Sequence, residues 1–115
     1  MRERVSGIGG FFFLADDAEA LAGWYDRHLG IDPVPSTYDA SVWEQEAGPT
    51  VLAPFGSPSE HLGPSGWGLN FRVRDLDAMV AQLRADGIEV AVDPERYPNG
   101  RFASLHDPEG NAIQL

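Results

Sequence analysis

The stretch WGLNFRVRDLDAMVAQLRADGIEVAV, from Trp67 to Val92, decides the fold because its hydrophobic period changes twice. WGLNFRV alternates in the manner of a strand, with Leu69, Phe71 and Val73 on one face. RDLDAMVAQLRADG has the spacing of a helix, and IEVAV returns to a strand pattern. The stretch therefore predicts a strand–helix–strand unit.

Two further strands follow this unit. GRFASLH and NAIQL have strand patterns, and the DPEG turn separates them. In that turn, Pro108 presets a backbone angle and Gly110 accepts a positive φ. The segment 67–115 is thus predicted to be one βαβββ module.

The first half of the chain repeats this order. Asp17 matches Asp75 as the residue that opens a helix, and Phe13 matches Phe71 on the preceding strand. The pattern predicts a strand at 8–15, a helix in DDAEALAGWYDRHLG, and two strands in YDASVWEQE and PTVLAPF. The same module is therefore expected twice.

A break separates the two halves. The stretch GSPSEHLGPSG is rich in Gly, Pro and Ser, which is typical of a linker or a mobile loop. We therefore predict a single domain that consists of module one (7–55), a linker (56–66) and module two (67–115).

The composition limits the classes of function. The chain has 115 residues and a formal net charge of −10, which opposes nucleic-acid binding. The scattered acidic residues fit a role in solubility, and they would also favour a cationic ligand. It has no cysteine, so a disulfide framework and a thiolate metal site are excluded. The longest apolar run, FFFLA, is too short to span a bilayer, and no signal-peptide pattern is present. We expect a cytoplasmic protein that contacts no membrane.

The module pattern also predicts an architecture. One helix covers only one face of a small sheet, so the other face must pack on the sheet of the other module or of a second chain. Two sheets that face each other would enclose a groove suited to a small ligand. The predicted fold class is α+β, with two βαβββ modules that form a cupped mixed sheet around a groove and with the helices outside.

This organisation, together with WYDRHLGI in the first helix and the closing GRFASLHDPEGNAIQL, resembles the vicinal oxygen chelate superfamily. That superfamily includes glyoxalases, bleomycin resistance proteins and extradiol dioxygenases. The resemblance implies paired modules around a cup-shaped cavity, often in homodimers. For metal-dependent members it implies a divalent ion held by the first and last strands of each module.

The metal-ligand positions implied by the resemblance are occupied by Gly10, Leu52, Gly68 and Gln114. Two of these residues have no side chain, one is a hydrocarbon, and one is a neutral amide. Divalent ions need several oxygen or imidazole donors at once, so we expect no metal here and keep a divalent ion as the alternative. No suitable spacing for a replacement site is found among His28, His61 and His106.

Strand alternation selects the side chains that would face the groove. In module two, Asn70 and Arg72 share a face, and Arg72 would need a partner such as a ligand carboxylate or Glu44. The predicted ligand-binding residues are Phe12, Trp43, Leu52, Phe55, Asn70, Arg72, Arg101, Phe102 and Gln114.

These features predict a metal-free protein, similar to the bleomycin resistance branch, that binds a cationic or aromatic small molecule. The alternative is an enzyme of the same superfamily, resembling lactoylglutathione lyase or a dioxygenase. That enzyme would be metal-dependent or would use Glu44 or His106 as a base. The resemblance implies a homodimer, and the sequence leaves open whether modules pair within one chain or between two.

Overall fold

Two helices lie on one face of a four-stranded mixed sheet in the computed structural model, which describes residues 2–115. The strand order is β1-β4-β3-β2; β1 runs parallel to β4, and the other neighbours are antiparallel. The predicted α+β class is confirmed. The elements are α1 (Ala18–Leu29), β1 (Gly68–Asn70), α2 (Leu76–Ala85), β2 (Ala91–Val92), β3 (Ala103–His106) and β4 (Ala112–Gln114).

Both helices begin at the predicted aspartates. The Asp17 side chain accepts a hydrogen bond from the Ala20 N–H at 3.1 Å, and Asp75 accepts one from Ala78 at 3.0 Å. Such caps contribute about 1 kcal/mol each. Helix α1 ends at Gly30, whose φ of 71° lies in the left-handed region that glycine favours. Neither described helix is long and apolar enough to cross a membrane.

The core joins the two halves of the chain. Trp24 and Tyr25 of α1 are buried together with Leu83 of α2 and with Leu105 and Ile113 of the sheet. Leu83 is 0% exposed and Ile113 is 2% exposed. Each such side chain contributes about 1.5–3 kcal/mol of burial. The helix of module one therefore packs on the strands of module two.

The strands predicted for module one require a correction. Among residues 2–115, strand pairing begins only at Gly68. The strands predicted at 8–15, 38–46 and 49–55 are therefore wrong for the single chain. The alternating pattern identifies side chains that suit a sheet, but a strand also needs an adjacent edge for its backbone groups. Phe12 and Leu14 are 92% and 97% exposed, so no such edge covers them.

The alternation predicted for module two is confirmed. Ala103 and Leu105 are buried toward the helices, whereas Ser104 and His106 are exposed on the opposite face. The half-buried Phe71 packs against the core, as predicted. The sheet consequently has one apolar, helix-covered face and one face that the helices leave uncovered.

Candidate functional site

The sheet face away from the helices, which we call the open face, presents a row of polar side chains. Asn70 lies in register with Gln114, Gln114 with Ser104, and Ser104 with Ala91. Residues in register point to the same face, so this row crosses all four strands. A second row beside it consists of Gly68, Ala112 and His106.

Two amides on the open face bond to each other, one on the edge strand β1 and one on its neighbour β4. Asn70 Nδ2 donates a hydrogen bond to Gln114 Oε1 at 2.8 Å. Asn70 is exposed and Gln114 is half-buried, so both amides reach solvent. Because β1 and β4 pair along their lengths, their backbones hold the two side chains next to each other.

The linker closes one end of the open face. A Cβ added at Gly68 would lie 3.1 Å from the His61 carbonyl oxygen, and one added at Gly63 would lie 3.1 Å from the Ala112 nitrogen. Such distances are tighter than ordinary contacts, so both positions suit glycine. The place next to Gly68 is therefore taken by the linker backbone.

Arg72 marks the other end of β1. Its Nη2 donates to the Glu46 carbonyl oxygen at 3.0 Å, and the neighbouring Arg74 forms an ion pair with the Glu46 carboxylate. The sequence predicts Glu44 or a ligand carboxylate as the partner of Arg72, and the structure places Glu46 there instead. No local signal distinguishes Glu46 from Glu44, because the two residues are one strand period apart.

Two aromatic side chains, Tyr97 and Phe102, lie next to the start of β3. Phe102 shares the open face because it precedes Ser104 by one strand period. Tyr97 packs on Phe102, with ring centroids 5.8 Å apart, and its hydroxyl donates to Asp93 Oδ2 at 2.8 Å. That hydrogen bond raises the pKa of the Tyr97 phenol. Sequence reasoning missed Tyr97, which lies in the non-periodic loop YPNGR.

The remaining predicted site residues lie elsewhere. Arg101 donates to the Asp77 carboxylate of α2 at 3.0 and 3.2 Å, so it lies on the helix side and not at a cavity mouth. Phe12 is 92% exposed and Leu52 is 87% exposed. The other candidates of module one are also exposed, namely Trp43, Glu44 and Phe55. The structure thus brings together Asn70 and Gln114 but assembles no aromatic wall from module one.

A comparison with known protein families assigns this fold. The model of the glyoxalase/bleomycin resistance protein/dioxygenase superfamily matches residues 7–115. The chain belongs to this superfamily. The family predicted from the DPEGN turn and the repeated module is therefore confirmed.

One curated relative is the anthracycline biosynthesis protein DauV of Streptomyces sp. (strain C5), which is 29% identical over 119 residues. The match covers 94% of the chain, and the chain spans 40% of the length of DauV. Two solved structures resemble the fold. The first is TnmS3, an antibiotic binding protein from Streptomyces sp. CB03234, with a TM-score of 0.63, 23% identity, and coverage of 99% of this chain and 97% of TnmS3. The second is lactoylglutathione lyase from Agrobacterium tumefaciens, with a TM-score of 0.60, 18% identity, and coverage of 97% and 93%.

The residues at the superfamily's metal positions do not fit a divalent ion. Gly10 and Gly68 offer no side-chain donor, and Leu52 is a hydrocarbon. Gln114 has an amide oxygen, but that oxygen already accepts the hydrogen bond from Asn70. Within residues 2–115, no group of three His, Asp or Glu side chains is placed to hold a metal ion. A single neutral donor does not bind a hard cation.

The superfamily's DPEGN turn has a structural role. Asp107 is buried, and its carboxylate accepts hydrogen bonds from the Tyr25 hydroxyl at 2.7 Å and from Asn111 Nδ2 at 2.7 Å. It also accepts from the N–H groups of Glu109 and Asn111, which is the usual role of a turn aspartate. Burial, together with the hydrogen bond to Asp107, raises the pKa of Tyr25 above its usual range. Gly110 has the predicted positive φ, at 83°.

The same turn holds the start of α1. The Glu109 carboxylate accepts hydrogen bonds from the backbone N–H groups of Asp16 at 2.7 Å and Asp17 at 3.1 Å. A depression of about 410 Å³ lies next to this contact and is lined in part by Trp24 and Arg27. Glu109 and Asp17 in its wall are already hydrogen-bonded within the protein. The open face, with solvent-facing amides, is the better candidate for a ligand site.

Proposed function

We propose that this protein binds a small molecule on its open face, and that side-chain hydrogen bonds hold the ligand without a metal ion. The observation that carries the proposal is the Asn70–Gln114 amide pair. Gln114 occupies a position where the resemblance to the superfamily implies a metal ligand, and the pair joins the edge strand β1 to β4 on a face that the helices leave free. Amides that face solvent keep unused hydrogen-bonding groups for a ligand.

The surroundings of the amide pair favour an aromatic or cationic ligand. Tyr97 and Phe102 offer ring surfaces at one edge, and aromatic groups stack on such rings. The net charge of −10 attracts cations over long range. The names of two similar proteins, an antibiotic binding protein and an anthracycline biosynthesis protein, support a ligand of the antibiotic type. We place this activity in the cytoplasm, as expected for a chain without cysteine.

We further propose that a second copy of the chain completes the binding protein. Segments on either side of α1 expose apolar side chains, including Leu14 at 97% and Val51 at 86%. The edge strand β1 has backbone groups available for pairing with another strand. A homodimer would bury these segments and would supply a second wall to the open face.

Light scattering should give a dimer mass that Leu14→Arg lowers, while Ala81→Arg on the exposed side of α2 leaves it unchanged. A monomer mass for the unaltered chain at high concentration would contradict the homodimer.

The ligand site is tested by titration of isotope-labelled protein, followed by NMR. The probes are an anthracycline, 9-aminoacridine and spermidine, which separate aromatic from cationic recognition. We expect amide resonances of 68–72, 102–106 and 112–114 to shift with at least one probe. Replacing Gln114 with Ala should weaken that binding about tenfold. The matched control is Gln82→Ala, on α2, which should leave the affinity unchanged. Shifts confined to other surfaces would sink the proposal.

The absence of metal chemistry is tested separately. Protein purified without a metal-affinity tag is analysed for its elements, and its melting temperature is measured with Ni²⁺, Zn²⁺, Mn²⁺ and Fe²⁺. We expect less than one metal ion per chain, and we expect none of the four ions to raise the melting temperature by several degrees. A stoichiometric ion would show that another set of side chains replaces the superfamily ligands.

An enzyme that uses His106 as a base is the second candidate. The observation in its favour is that His106 is exposed on the open face, in register with Ala112 and next to the amide row. General-base catalysis needs such a group within reach of a bound substrate. Isomerisation of the hemithioacetal of methylglyoxal and glutathione provides the assay. Turnover that His106→Gln abolishes without weakening substrate binding would favour the enzyme, and an inactive unaltered protein would eliminate this reaction.

A further inference from the structure

The hydrogen bond between Asn70 and Gln114 leaves a defined set of groups free. A carboxamide carries one carbonyl acceptor and one amino group with two donors. Asn70 uses a donor, and Gln114 uses its oxygen. The Asn70 carbonyl and the Gln114 amino group are outside this bond, so the pair keeps an unused acceptor on one residue and unused donors on the other.

We propose that the open face selects a ligand with a neighbouring hydrogen-bond donor and acceptor, of the kind found in a lactam or a primary carboxamide. This inference rests on the proposed function and names the ligand class of the same site. The ligand N–H would donate to the Asn70 carbonyl, and the ligand carbonyl would accept from the Gln114 amino group. A single metal ion would instead select two acceptors, so the amide pair changes the chemistry that this position recognises.

The strand geometry supports simultaneous contact with both amides. Asn70 and Gln114 are register partners on neighbouring strands, which lie about 4.8 Å apart. The mutual hydrogen bond fixes both side chains and reduces the entropy that a ligand must overcome. The linker backbone covers Gly68 and Ala112 in the adjacent row, so a planar group would lie on the side of Ser104, which is small and exposed.

The next strand adds a neutral polar partner. Ser104 is opposite Gln114 in register and is exposed, and its hydroxyl is both a donor and an acceptor. The row therefore offers hydrogen bonds but no formal charge. The charged residues near the ends of the row, Arg72 and Asp93, are instead paired with protein groups.

The test compares two probes that differ only in the substituent on the ring nitrogen. 2-Quinolone is a planar lactam with an adjacent N–H and C=O, whereas N-methyl-2-quinolone retains the ring and the carbonyl but has no donor. We expect 2-quinolone to shift the side-chain amide resonances of Asn70 and Gln114 and to bind about tenfold more tightly than the methyl analogue.

Matched variants locate the effect. Gln114→Glu keeps the size of the side chain and an acceptor for Asn70 but removes the amino group, so the preference for the lactam should be lost. Gln82→Glu makes the same chemical change on α2 and should retain the preference. The melting temperature of both variants reports whether the fold is intact.

The outcomes separate this inference from the proposed function. Equal affinity for the two quinolones, or binding of the anthracycline, acridine or spermidine probes to the open face without binding of the lactam, overturns the ligand class and leaves the site in place. If no probe perturbs the open face, both the ligand class and the site are overturned.

Discussion

Module one and module two have the same order of sequence patterns, but only module two pairs its strands. Leu105 of module two is 3% exposed in a central strand, whereas Leu14 of module one is 97% exposed in a segment without a ladder. Both residues stand in strand-like patterns, so residue type does not explain the difference. The presence of an adjacent edge does, because strand preferences depend on cross-strand neighbours.

Helix α1 forms in module one although the strands do not pair. A helix satisfies its backbone groups within its own turns, so it needs a neighbour only for its apolar side. Module two provides that neighbour through the core and the DPEGN turn. The comparison shows that local elements are determined by their own sequence, whereas extended segments depend on what lies beside them.

The largest difference should come from truncating one leucine in the packed core and one in the exposed part of module one. Leu83→Ala in the core should reduce the free energy of unfolding by about 2–5 kcal/mol, because it leaves a cavity. Leu52→Ala, at an 87% exposed position, should change it by no more than about 0.5 kcal/mol. Urea unfolding is measured at a concentration where the chain is monomeric. Similar losses for both variants would show that module one is packed within a single chain.

A second substitution tests the joint between the modules. Tyr25→Phe removes the hydroxyl that donates to the buried Asp107 and should reduce the free energy of unfolding by about 1–3 kcal/mol. Tyr97→Phe removes a similar bond to Asp93 at the surface and should have a smaller effect. If Tyr25→Phe has no effect, the packing of α1 alone holds the modules together.

The same joint should respond to alkaline pH. Burial and Asp107 raise the pKa of Tyr25 relative to the unfolded chain, so the folded state binds the phenolic proton more tightly. The corresponding stability is fully present below the unfolded pKa of about 10 and is lost as the pH rises beyond it. Urea unfolding from pH 8 to 11 should show a decline that Tyr25→Phe makes less steep. An unchanged slope in that variant would assign the decline to other groups.

A glycine pair provides a finer comparison. Gly68→Ala would place a methyl group 3.1 Å from the His61 carbonyl oxygen and should cost about 1 kcal/mol of stability. At Gly10, the new methyl group would meet only the ring of the exposed Phe12, which is free to move aside, so Gly10→Ala should have little effect. Thermal unfolding distinguishes the two variants. A costly Gly10→Ala would indicate that a neighbour also confines the first segment.

The smallest expected effect concerns the surface pair of Arg101 and Asp77. The hydrogen bond from Arg101, aided by its charge, lowers the pKa of Asp77. A lowered carboxyl pKa stabilises the folded state above the unfolded value of about 3.9, and this stabilisation is lost as the pH falls. NMR titration of the Asp77 carboxyl should show a midpoint that rises in Arg101→Gln. An unchanged midpoint would mean that the pair does not form in solution.

Local chemistry made several features predictable from the sequence. Asp17, Asp75 and Gly30 mark helix ends because capping depends on residues close in sequence. Strand alternation placed Asn70 and Gln114 on one face and Leu105 on the other, since the side-chain period of a strand is fixed.

The features that depend on distant contacts could not be predicted in this way. No local signal indicates that the strands of module one lack an edge, or that Glu46 and not Glu44 contacts Arg72. The wrong location predicted for Arg101 could have been avoided, because Arg101 is one strand period before Ala103 and therefore lies on the helix side. Tyr97 lies in a loop, where no period relates a side chain to a face.

The DPEGN turn also has a consequence for the synthesis of the protein. Its hydrogen bonds to the start of α1 span as many as 93 residues, so the ribosome makes the first helix long before its anchor. At roughly 5–20 residues per second, that interval is on the order of ten seconds. During this time Phe13 and Trp24 have no folded module two to pack against, and such exposed apolar side chains attract chaperones or other nascent chains. The yield of folded protein in cells should therefore depend on how quickly translation reaches Glu109.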